Sequence, residues 1–449
     1  MNRLETCTAS FTILLLAIGC AIANEVPKPQ ARVAPQPHER QLPTAMHAAM
    51  KELVLIRVGM TEGDLIGGDN RALQAAVDYV AALGGGTVEI GPGIYLMRDS
   101  LHLRDNVTVR GTGEKTILKK IPCAMSPLVL DGDFGEEQVT VADASGFRVG
   151  DGVAVWDRKS GGFHDVVARI TGKTGNTFSI SRPLNADYMI HREATAATVY
   201  PVISGYNIRG ARVEKITIDG GRDTNPHLNG CRGAGIFLYR GFGTVIQSCI
   251  VRHYNGDGIS FQQSNDVQVL DCLSEGNAEL GIHPGSGSQR PIVRSCTARS
   301  NGTDGLFLCW RVRHGLFENN TLLDNGRFGI SIGHKDSDNL LRRNIIRANG
   351  LHGIFFRNET FGMAGHRNRL EENVIENNGK IEPAAGIMID GETEGVVIRG
   401  NVIRDTRKKG TQVVGIRIGE KAGVVKIEDN SITAEKKVED QRAAGKTGE

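Results

Sequence analysis

The sequence predicts an all-β solenoid, a parallel β-helix, from a repeated phrase, an in-phase column of Cys and Asn, and short runs of alternating apolar residues. The phrase is Gly, a branched aliphatic residue, any residue and an apolar residue, and it occurs eight times between Gly235 and Ile418. The first five intervals are 23 or 24 residues and the last two are longer. Because a fixed period of about 20–50 residues indicates stacked repeats, we expect one coil per phrase, with loops inserted in the last coils.

The second column follows each repeated Gly by about 14 residues and accepts only a small thiol or an amide. Its members are Cys249, Cys272, Cys296, Asn320, Asn344, Asn373, Asn401 and Asn430. Stacked Asn side chains can hydrogen-bond to the coils above and below, and a Cys there acts as a small apolar filler. We therefore expect an internal ladder. Apolar residues at alternate positions around it are typical of strands.

The N-terminus predicts an export signal. Arg3, an apolar run over 11–18 and the small residues Ala21-Ile22-Ala23 indicate a signal peptide over 1–23, followed by a Pro-rich linker over 24–50. The apolar run is too short to span a bilayer, so we expect no transmembrane segment in the mature chain. The predicted localisation is secreted or periplasmic, with lipoprotein anchoring through Cys20 as the alternative.

The remaining chain divides by its patterns. Residues 51–135 are predicted to hold a cap and the first coils: Asp69 suits a helix N-cap, and the helix would cover the open end of the solenoid. Residues 136–200 lack the coil period and predict a small inserted antiparallel β module. The main β-helix is predicted over 201–434, and a disordered charged tail over 435–449.

Three segments of the opening carry a family resemblance: Gly84-Gly85-Gly86-Thr87-Val88, Pro92-Gly93-Ile94-Tyr95 and the run 107–113, Val-Thr-Val-Arg-Gly-Thr-Gly. Together with the repeat and the ladder they resemble the pectate-lyase-like superfamily of right-handed parallel β-helix proteins. The resemblance implies a right-handed coil and activity on carbohydrates, and that architecture carries lyases, hydrolases, epimerases, esterases and phage tailspikes. The signature motifs of polygalacturonases, alginate epimerases and pectate lyases are absent, so no catalytic residue carries over from them.

Outward-facing positions of the repeat predict a substrate groove. The aliphatic residue after each Gly and the apolar residue two later are predicted to point inward, and the positions between and after them outward. Aromatic rings stack on sugar faces, and cations bind carboxylates or sulfates. The predicted substrate-binding residues are Tyr239, Phe307, Trp310, Arg313, Phe355 and Arg357.

Two outward histidines are the leading catalytic candidates. His283 and His334 are two coils apart, about 9–10 Å by strand spacing, and Arg311 lies on the coil between them. In β-elimination or C5 epimerisation of a uronic acid, a cation neutralises the carboxylate while a base takes the C5 proton. The predicted catalytic set is His283, His334, Lys335 and Arg311, with Tyr239 as a candidate proton donor. The structural alternative is that both histidines only hold turns or neighbouring coils.

Two further interpretations of function remain open. The first is an inverting glycoside hydrolase that uses Asp257 and Asp304. These residues occupy the same slot two coils apart, about 9–10 Å, near the upper end of the roughly 6.5–9.5 Å of inverting glycosidases, although Asp before Gly also caps turns. The second is a non-catalytic glycan-binding or cell-surface solenoid. No cofactor is expected, with Ca²⁺ as an alternative on carboxylates. Those carboxylates are Asp336, Asp338, Asp390 and Glu392.

Bulk composition limits the partners. The formal net charge is +2 over 449 residues, which does not favour nucleic acid as a partner. A solenoid grows coil by coil without a larger core, and both of its ends are expected to be capped, so we predict a monomer. The leading hypothesis is an exported lyase or C5-epimerase that acts on an acidic, uronate-containing polysaccharide.

Overall fold

The computed structural model describes residues 54–442, and within them the chain forms a parallel β-helix with an inserted antiparallel sheet. The predicted signal peptide, the whole of the predicted linker, residues 51–53 and residues 443–449 lie outside the described residues. Each coil has three short strands joined by bends, and equivalent strands of successive coils pair in parallel. This confirms the predicted fold.

The N-terminal helix closes one end of the coil stack. It spans Asn70–Ala82, and the Asp69 carboxylate accepts a hydrogen bond from the Arg71 backbone N–H at 2.9 Å. Its buried apolar side chains, among them Leu73 and Val77, pack against the first strands. The helix therefore covers strand edges that would otherwise face water, as predicted.

One wall of the β-helix is an 11-stranded parallel sheet, called the front sheet below. Its strands are Leu101–His102, Ile203–Tyr206, Ala234–Tyr239, Asp257–Gln262, Ile282–Gly285, Leu306–Phe307, Ile330–Ile332, Ile354–Phe356, Ala385–Ile389, Val414–Ile418 and Lys436–Asp440. All eight repeated phrases lie in this sheet. The repeat thus marks one wall of every coil of the main stack.

The other two walls together form a 22-stranded sheet that bends at the ladder positions. The N-terminal strands are Leu55–Gly59, Leu65–Ile66, Gly86–Ile90, Gly93–Met97, Val107–Lys120 and Arg212–Asp219. The second wall continues through Val245–Gln247, Gln268–Leu270, Ile292–Arg294, Leu316–Glu318, Leu340–Arg342, Arg369–Glu371, Val396–Arg399 and Val425–Glu428. The third continues through Ile250–Arg252, Leu273–Glu275, Thr297–Arg299, Thr321–Leu323, Ile345–Arg347, Val374–Glu376, Val402–Arg404 and Ser431–Thr433.

The repeated Gly is explained by a close approach inside the coil. A Cβ at Gly258 would lie 2.0 Å from Ser274 Oγ, and a Cβ at Gly329 would lie 2.3 Å from Ile346 Cγ2. Both contacts belong to the third wall, so any side chain at the Gly would collide with the facing strand. Because the Gly faces the interior, the Asp that precedes it in two coils is directed to the outer face of the front sheet.

Two amide ladders run through the bends. In the predicted one, Asn320 Nδ2 donates to Asn344 Oδ1 at 3.0 Å and to the Val293 carbonyl at 2.9 Å. A second ladder is formed by Asn277, Asn301, Asn325, Asn349, Asn378 and Gln412. This second ladder was not predicted from the sequence. Both ladders satisfy buried polar groups from coil to coil.

The inserted sheet has six antiparallel strands and its own core, in which the rings of Phe147 and Phe178 stack at 5.2 Å. Its strands are Met125–Pro127, Gln138–Thr140, Gly152–Trp156, Val166–Thr174, Thr177–Ile180 and Thr195–Ala197, and it contains the 3₁₀ turn Ile190–Arg192. A second 3₁₀ turn, Arg222–Thr224, follows the strand Arg212–Asp219 of the β-helix. Ion pairs to Asp99 and Asp151 join it to the β-helix: Arg169 Nε lies 2.6 Å from Asp99 Oδ2, and Arg98 Nε 3.1 Å from Asp151 Oδ1.

The predicted disordered tail is wrong in its first part. Lys436–Asp440 forms a strand that pairs in parallel with Val414–Ile418, and Glu439 forms an ion pair with Arg417. The physical reason is the open edge of the last coil, whose unpaired backbone groups are satisfied by one more strand. High charge content alone therefore misidentified this segment.

Candidate functional site

A cleft of about 490 Å³ lies where residues of the inserted sheet face the outer side of the front sheet. Tyr206, Phe237 and Tyr239 form its floor on adjacent coils. The Tyr206 ring lies 5.7 Å from the Phe237 ring and 6.1 Å from the Tyr239 ring, centroid to centroid. These aromatic rings present an apolar surface of the kind that stacks on sugar rings.

Two arginines line the same cleft. The Arg182 guanidinium carbon lies 3.7 Å from the centre of the Tyr206 ring, and Arg232 enters from the loop that precedes the strand Ala234–Tyr239. Asp165 also lines the cleft and accepts a hydrogen bond from Ser160 Oγ at 2.7 Å. Burial raises the pKa of Asp165, which weakens its competition for the arginines. The cleft can therefore bind an anionic group beside the aromatic floor.

A buried carboxylate–histidine pair lies on the neighbouring coils. His283 Nδ1 lies 2.7 Å from Asp257 Oδ2, and Asp257 Oδ1 accepts a hydrogen bond from the Leu280 backbone N–H at 3.2 Å. Burial raises the pKa of Asp257, and its hydrogen bond with His283 opposes that rise. Because a carboxylate only accepts hydrogen bonds when ionised, the pair places a proton on Nδ1 and leaves the Nε2 lone pair free to act as a base.

The pair is covered on its outer side. A Cβ at Gly230 would lie 1.6 Å from Asp257 Oδ2, and the Gly230 carbonyl accepts a hydrogen bond from Ser260 Oγ at 2.6 Å. His283 packs edge-on against Phe307 at 5.3 Å, and its Nε2 is buried without a hydrogen-bond partner within residues 54–442. His283, predicted to point outward, is therefore buried on the outer face of the front sheet, because a loop folds over it.

The loop that covers the pair, residues 229–231, also reaches the cleft. Cys231, which follows Gly230, lines the cleft. On the front sheet, Ser260 lies in register between Phe237 and His283. With adjacent strands about 4.8 Å apart, His283 lies about 10 Å from the aromatic floor along the stack. A sugar polymer bound in the cleft and continuing along the front sheet would next meet the segment over His283.

His334 belongs to a different cluster. Its Nε2 lies 3.0 Å from Glu359 Oε1, its Nδ1 lies 3.3 Å from Cys309 Sγ, and its ring stacks on Trp310 at 5.1 Å. Trp310 is 39% exposed. Burial opposes ionisation of Glu359, but hydrogen bonds from His334 lower its pKa overall. The His334–Glu359 pair resembles the His283–Asp257 pair in its chemistry, but the His334 ring is more exposed than the His283 ring.

Arg357 is held by the protein itself. Its guanidinium donates to Ser331 Oγ and to the Leu308 carbonyl, each at 2.8 Å, and lies 3.3 Å from Asp336 Oδ2. It also lies 4.6 Å from the centre of the Phe307 ring. These contacts use much of the donor capacity of Arg357, so the structure gives it a role in fixing Phe307 and the neighbouring turn.

The other predicted residues are not brought to His283. Arg311 Nε lies against Gly287 in the turn after the strand Ile282–Gly285, and Arg313 is exposed on an adjacent turn. Lys335 is half-buried in the turn after His334, where its backbone N–H bonds to the Met363 carbonyl. Phe355 stacks on Phe328 at 4.5 Å. Left-handed backbone at Arg311 and Lys335 directs both side chains along turns that the repeat pattern does not specify.

Asp304 occupies the slot of Asp257 two coils later but has no histidine partner. Its Oδ1 accepts a hydrogen bond from the Phe328 backbone N–H at 3.2 Å, and its buried Oδ2 has no partner among the described residues. Burial raises the pKa of Asp304 to about 6, although Arg327 opposes the shift. Such a carboxyl can hold a proton near neutral pH, as a general acid must.

The candidate Ca²⁺ carboxylates are separately engaged. Asp336 accepts from the Val312 and Gly333 backbone N–H groups, and Asp338 forms a two-pronged ion pair with Arg367. Asp390 accepts the Gly391 backbone N–H in its own turn, and Glu392 accepts the Phe361 backbone N–H of the preceding coil. Within residues 54–442 no three His, Cys, Asp or Glu side chains converge as metal ligands.

Arg182, Tyr206 and Arg232 were not predicted from the sequence. Tyr206 follows Ile203 on the front sheet, but that coil lacks the Gly that marks the repeat, so its outward positions were not identified. Arg182 comes from the inserted sheet and Arg232 from a coil loop, and their approach to Tyr206 and Phe237 depends on tertiary packing.

Comparison with known proteins agrees with the fold. The family model described as "Right handed beta helix region" matches residues 214–363. No curated protein matches the sequence. In the part of the chain that the structure describes, no helix is long and apolar enough to cross a membrane.

Similar solved structures come from carbohydrate-active proteins. The A-module of the Azotobacter vinelandii mannuronan C-5 epimerase AlgE4 is 16% identical with a TM-score of 0.55, over 87% of this chain and 99% of that chain. The polygalacturonase from Erwinia carotovora ssp. carotovora is 12% identical with a TM-score of 0.51, over 87% of this chain and 95% of that chain. At these identities the likeness concerns the fold alone, and together with the family model it confirms the predicted right-handed parallel β-helix.

Proposed function

We propose that this protein binds an acidic polysaccharide along the front sheet and transforms it at the His283–Asp257 pair. The observation that carries the proposal is the cleft in which Arg182 and Arg232 stand beside the ring of Tyr206 and its aromatic neighbours. Uronate residues offer a ring face to aromatic side chains and a carboxylate to guanidinium groups. The fold shared with an epimerase and a polygalacturonase supports activity on carbohydrates.

The favoured chemistry is β-elimination or C5 epimerisation. Both begin with removal of the C5 proton of a uronate whose carboxylate is neutralised by a cation. Arg232, two residues after Gly230 in the loop over the pair, is the cation for the reacting uronate, and Arg182 binds the carboxylate of a neighbouring residue of the chain. His283 is the base, with its proton on Nδ1 held by Asp257. Burial raises the pKa of Tyr206, so its hydroxyl stays protonated and can donate a hydrogen bond to the bound chain. Tyr239, on the next strand toward His283, is the candidate proton donor.

For His283 to act, its Nε2 has to be uncovered. The covering contacts are the edge-on Phe307 ring and the loop at Gly230. A polymer that displaces this loop would reach Nε2 and exclude water from the pair at the same time, which strengthens the electrostatic interactions there. The proposal therefore includes movement of residues 229–231 when substrate binds.

The direct test is incubation of the protein with a panel of uronate polymers. A lyase releases ultraviolet-absorbing unsaturated ends, and an epimerase changes the ratio of epimers measured by NMR. His283→Gln is expected to abolish either signal, while His191→Gln, an exposed histidine of the inserted module, serves as the matched control. Binding of an oligosaccharide without any product, or activity retained in His283→Gln, would contradict the proposed chemistry; the former outcome is that of a glycan-binding solenoid.

Inverting hydrolysis is the second candidate, because Asp304 has an unpartnered oxygen and a pKa raised to about 6. Asp304 would be the general acid and Asp257 the partner carboxylate, about 9–10 Å away by strand spacing. Release of new reducing ends without unsaturated product, lost in Asp304→Asn and kept in His283→Gln, would select this mechanism over elimination.

A further inference from the structure

A second cavity, of about 230 Å³, lies at the N-terminal end of the groove and shares Arg182 and Tyr206 with the larger cleft. It is lined by Ser204, His102 and Asp99. None of these three residues was predicted from the sequence to be functional. Arg104 and Arg169 line it as well, so the cavity is cationic at its rim. The two cavities can hold neighbouring residues of one acidic glycan chain.

The three residues form a serine–histidine–carboxylate chain of hydrogen bonds. His102 Nε2 lies 2.9 Å from Asp99 Oδ2, and His102 Nδ1 lies 2.9 Å from Ser204 Oγ. Since an ionised carboxylate only accepts, Nε2 carries the proton, and the Nδ1 lone pair accepts the hydroxyl proton of Ser204. This is the arrangement of an activated nucleophile, its general base and the group that orients the base.

Each member is held by a different part of the fold. Ser204 and His102 are in parallel register on adjacent strands of the front sheet. Gln74 of the N-terminal helix accepts the His102 backbone N–H at 2.8 Å, and Arg169 of the inserted sheet donates to Asp99 Oδ2 at 2.6 Å. The geometry is thus supported from the helix, the coil and the inserted sheet together, which is how reactive groups are kept aligned.

We propose that Ser204, His102 and Asp99 form a second catalytic site, which hydrolyses small O-acyl esters carried by the acidic glycan. Ser204 Oγ attacks the ester carbonyl carbon while its proton passes to His102 Nδ1. The bond from the carbonyl carbon to the sugar oxygen breaks, and that oxygen leaves with the proton from His102. Water then attacks the acyl-serine with the same histidine as base, releasing the carboxylic acid and restoring Ser204.

The substrate class follows from the size and charge of the cavity. A volume of about 230 Å³ suits an acyl group of a few atoms on one sugar residue rather than a long lipid chain. Arg182 faces both cavities and can meet a carboxylate of the same chain or the oxyanion formed at the ester carbon. This activity does not require the proposed elimination or epimerisation.

The test uses a fluorophosphonate probe, which modifies activated serine hydroxyls, on the full chain, followed by peptide mapping. A covalent adduct is expected on Ser204, absent in Ser204→Ala and at least about tenfold slower to form in His102→Gln. Ser181→Ala is the matched control, since Ser181 lines the same cavity but its Oγ accepts only the Arg169 backbone N–H. No adduct on the unaltered protein, or an adduct that persists in Ser204→Ala, would overturn the proposal.

A purely structural role for Ser204 gives a different result. In that case Ser204→Ala shifts the thermal unfolding midpoint, but the unaltered protein neither reacts with the probe nor hydrolyses p-nitrophenyl acetate. If the proposal holds, kcat/KM for that ester falls at least about tenfold in Ser204→Ala while circular dichroism is unchanged. Probe labelling and p-nitrophenyl acetate hydrolysis are both measured without polysaccharide. A negative result in them therefore does not bear on uronate turnover, and a lack of uronate turnover does not bear on them.

Discussion

His283 Nδ1 and Asp257 Oδ2 lie 2.7 Å apart on adjacent coils of the front sheet, and both side chains are buried. From the sequence, these two residues were predicted to serve competing mechanisms, the histidine a lyase or epimerase and the aspartate a hydrolase. Their contact makes them one chemical unit. A histidine whose Nδ1–H is held by a carboxylate is fixed in orientation and tautomer with Nε2 as its acceptor, which favours a base over a glycosidase carboxylate pair.

Asp257→Asn is expected to lower kcat on the polymer that proves active by about 10²–10⁴-fold, because an amide does not stabilise the imidazolium that forms when His283 takes a proton. The measurement is steady-state kinetics on the unaltered and variant proteins. Asp271→Asn, which makes the same change at an exposed site on another wall, is the control. Equal losses in both variants would indicate a general charge effect and contradict the role of the pair.

Gly230→Ala is expected to displace the loop over the pair, since the new Cβ would lie 1.6 Å from Asp257 Oδ2. We predict faster modification of His283 by diethylpyrocarbonate, followed by peptide mapping, because its Nε2 becomes accessible. Gly362→Ala is the control, as no atom lies within 4 Å of a Cβ there. Unchanged reactivity of His283 with a normally folded protein would show that the loop does not shield it.

Asp304→Asn is expected to change the pH dependence of stability. Burial raises the pKa of Asp304 to about 6 from 3.8, so its folded form binds a proton more tightly than its unfolded form. Its contribution to stability is therefore fully present below pH about 4 and is lost as pH rises through about 6. A shift of about two pKa units corresponds to roughly 3 kcal/mol. The free energy of unfolding of the variant minus that of the unaltered protein should rise by about this amount between pH 4 and 7.

That comparison is made by urea denaturation at each pH, and the difference between the two proteins removes the contributions of all other groups. A difference that stays flat from pH 4 to 7 would mean that Asp304 does not titrate in this range. It would also remove the main argument for Asp304 as a general acid at neutral pH.

Asn325→Ala tests the second amide ladder, which runs from Asn277 to Gln412 and was not predicted from the sequence. Asn325 Nδ2 donates to the Ala298 carbonyl at 3.0 Å and to Asn349 Oδ1 at 2.9 Å, and its Oδ1 accepts from Asn301 at 3.0 Å. Removing the amide leaves several buried polar groups unsatisfied, at about 1–3 kcal/mol each. We expect a loss of at least about 3 kcal/mol in the free energy of unfolding. Asn358→Ala at an exposed site should cost less than about 0.5 kcal/mol.

Arg182→Ala and Arg232→Ala are each expected to weaken binding of acidic oligosaccharides about tenfold or more, since hydrogen bonds to charged groups contribute about 1.5–3 kcal/mol. Isothermal titration calorimetry at two salt concentrations measures the effect, which should shrink as salt rises. The control is Arg343→Ala, an exposed arginine of the second wall that pairs with Glu372. Equal affinity for neutral and acidic oligosaccharides would contradict the assigned role of the arginines.

Much of the fold follows from local pattern. The Gly at each repeat reflects the space between facing walls, as Gly258 shows against Ser274, and the Asn column reflects amides that bond from coil to coil. The helix at Asn70–Ala82 was likewise predicted, from the N-cap residue Asp69. These features depend on residues near in sequence or one period apart, so periodicity alone exposes them.

The missed parts depend on other information. The strand at Lys436–Asp440 has a charged sequence that favours disorder, and it forms because an open sheet edge is available. The chain Asp99–His102–Ser204 joins residues about 100 positions apart across the insertion, outside the regular repeat. Arg311 was predicted to join His283, but its left-handed backbone in a turn directs it toward Gly287.

By itself the sequence determined that the chain coils, which wall carries the repeat, and which residues of that wall face away from the core, because strand alternation and coil period are local properties. Only the tertiary structure decided which of those outward residues stay open: the loop at Gly230 buries His283, whereas Tyr206 and Tyr239 are left to line a cleft. The physical reason is that loops and the inserted sheet pack by side-chain contacts between segments distant in sequence, and no periodic pattern encodes those contacts.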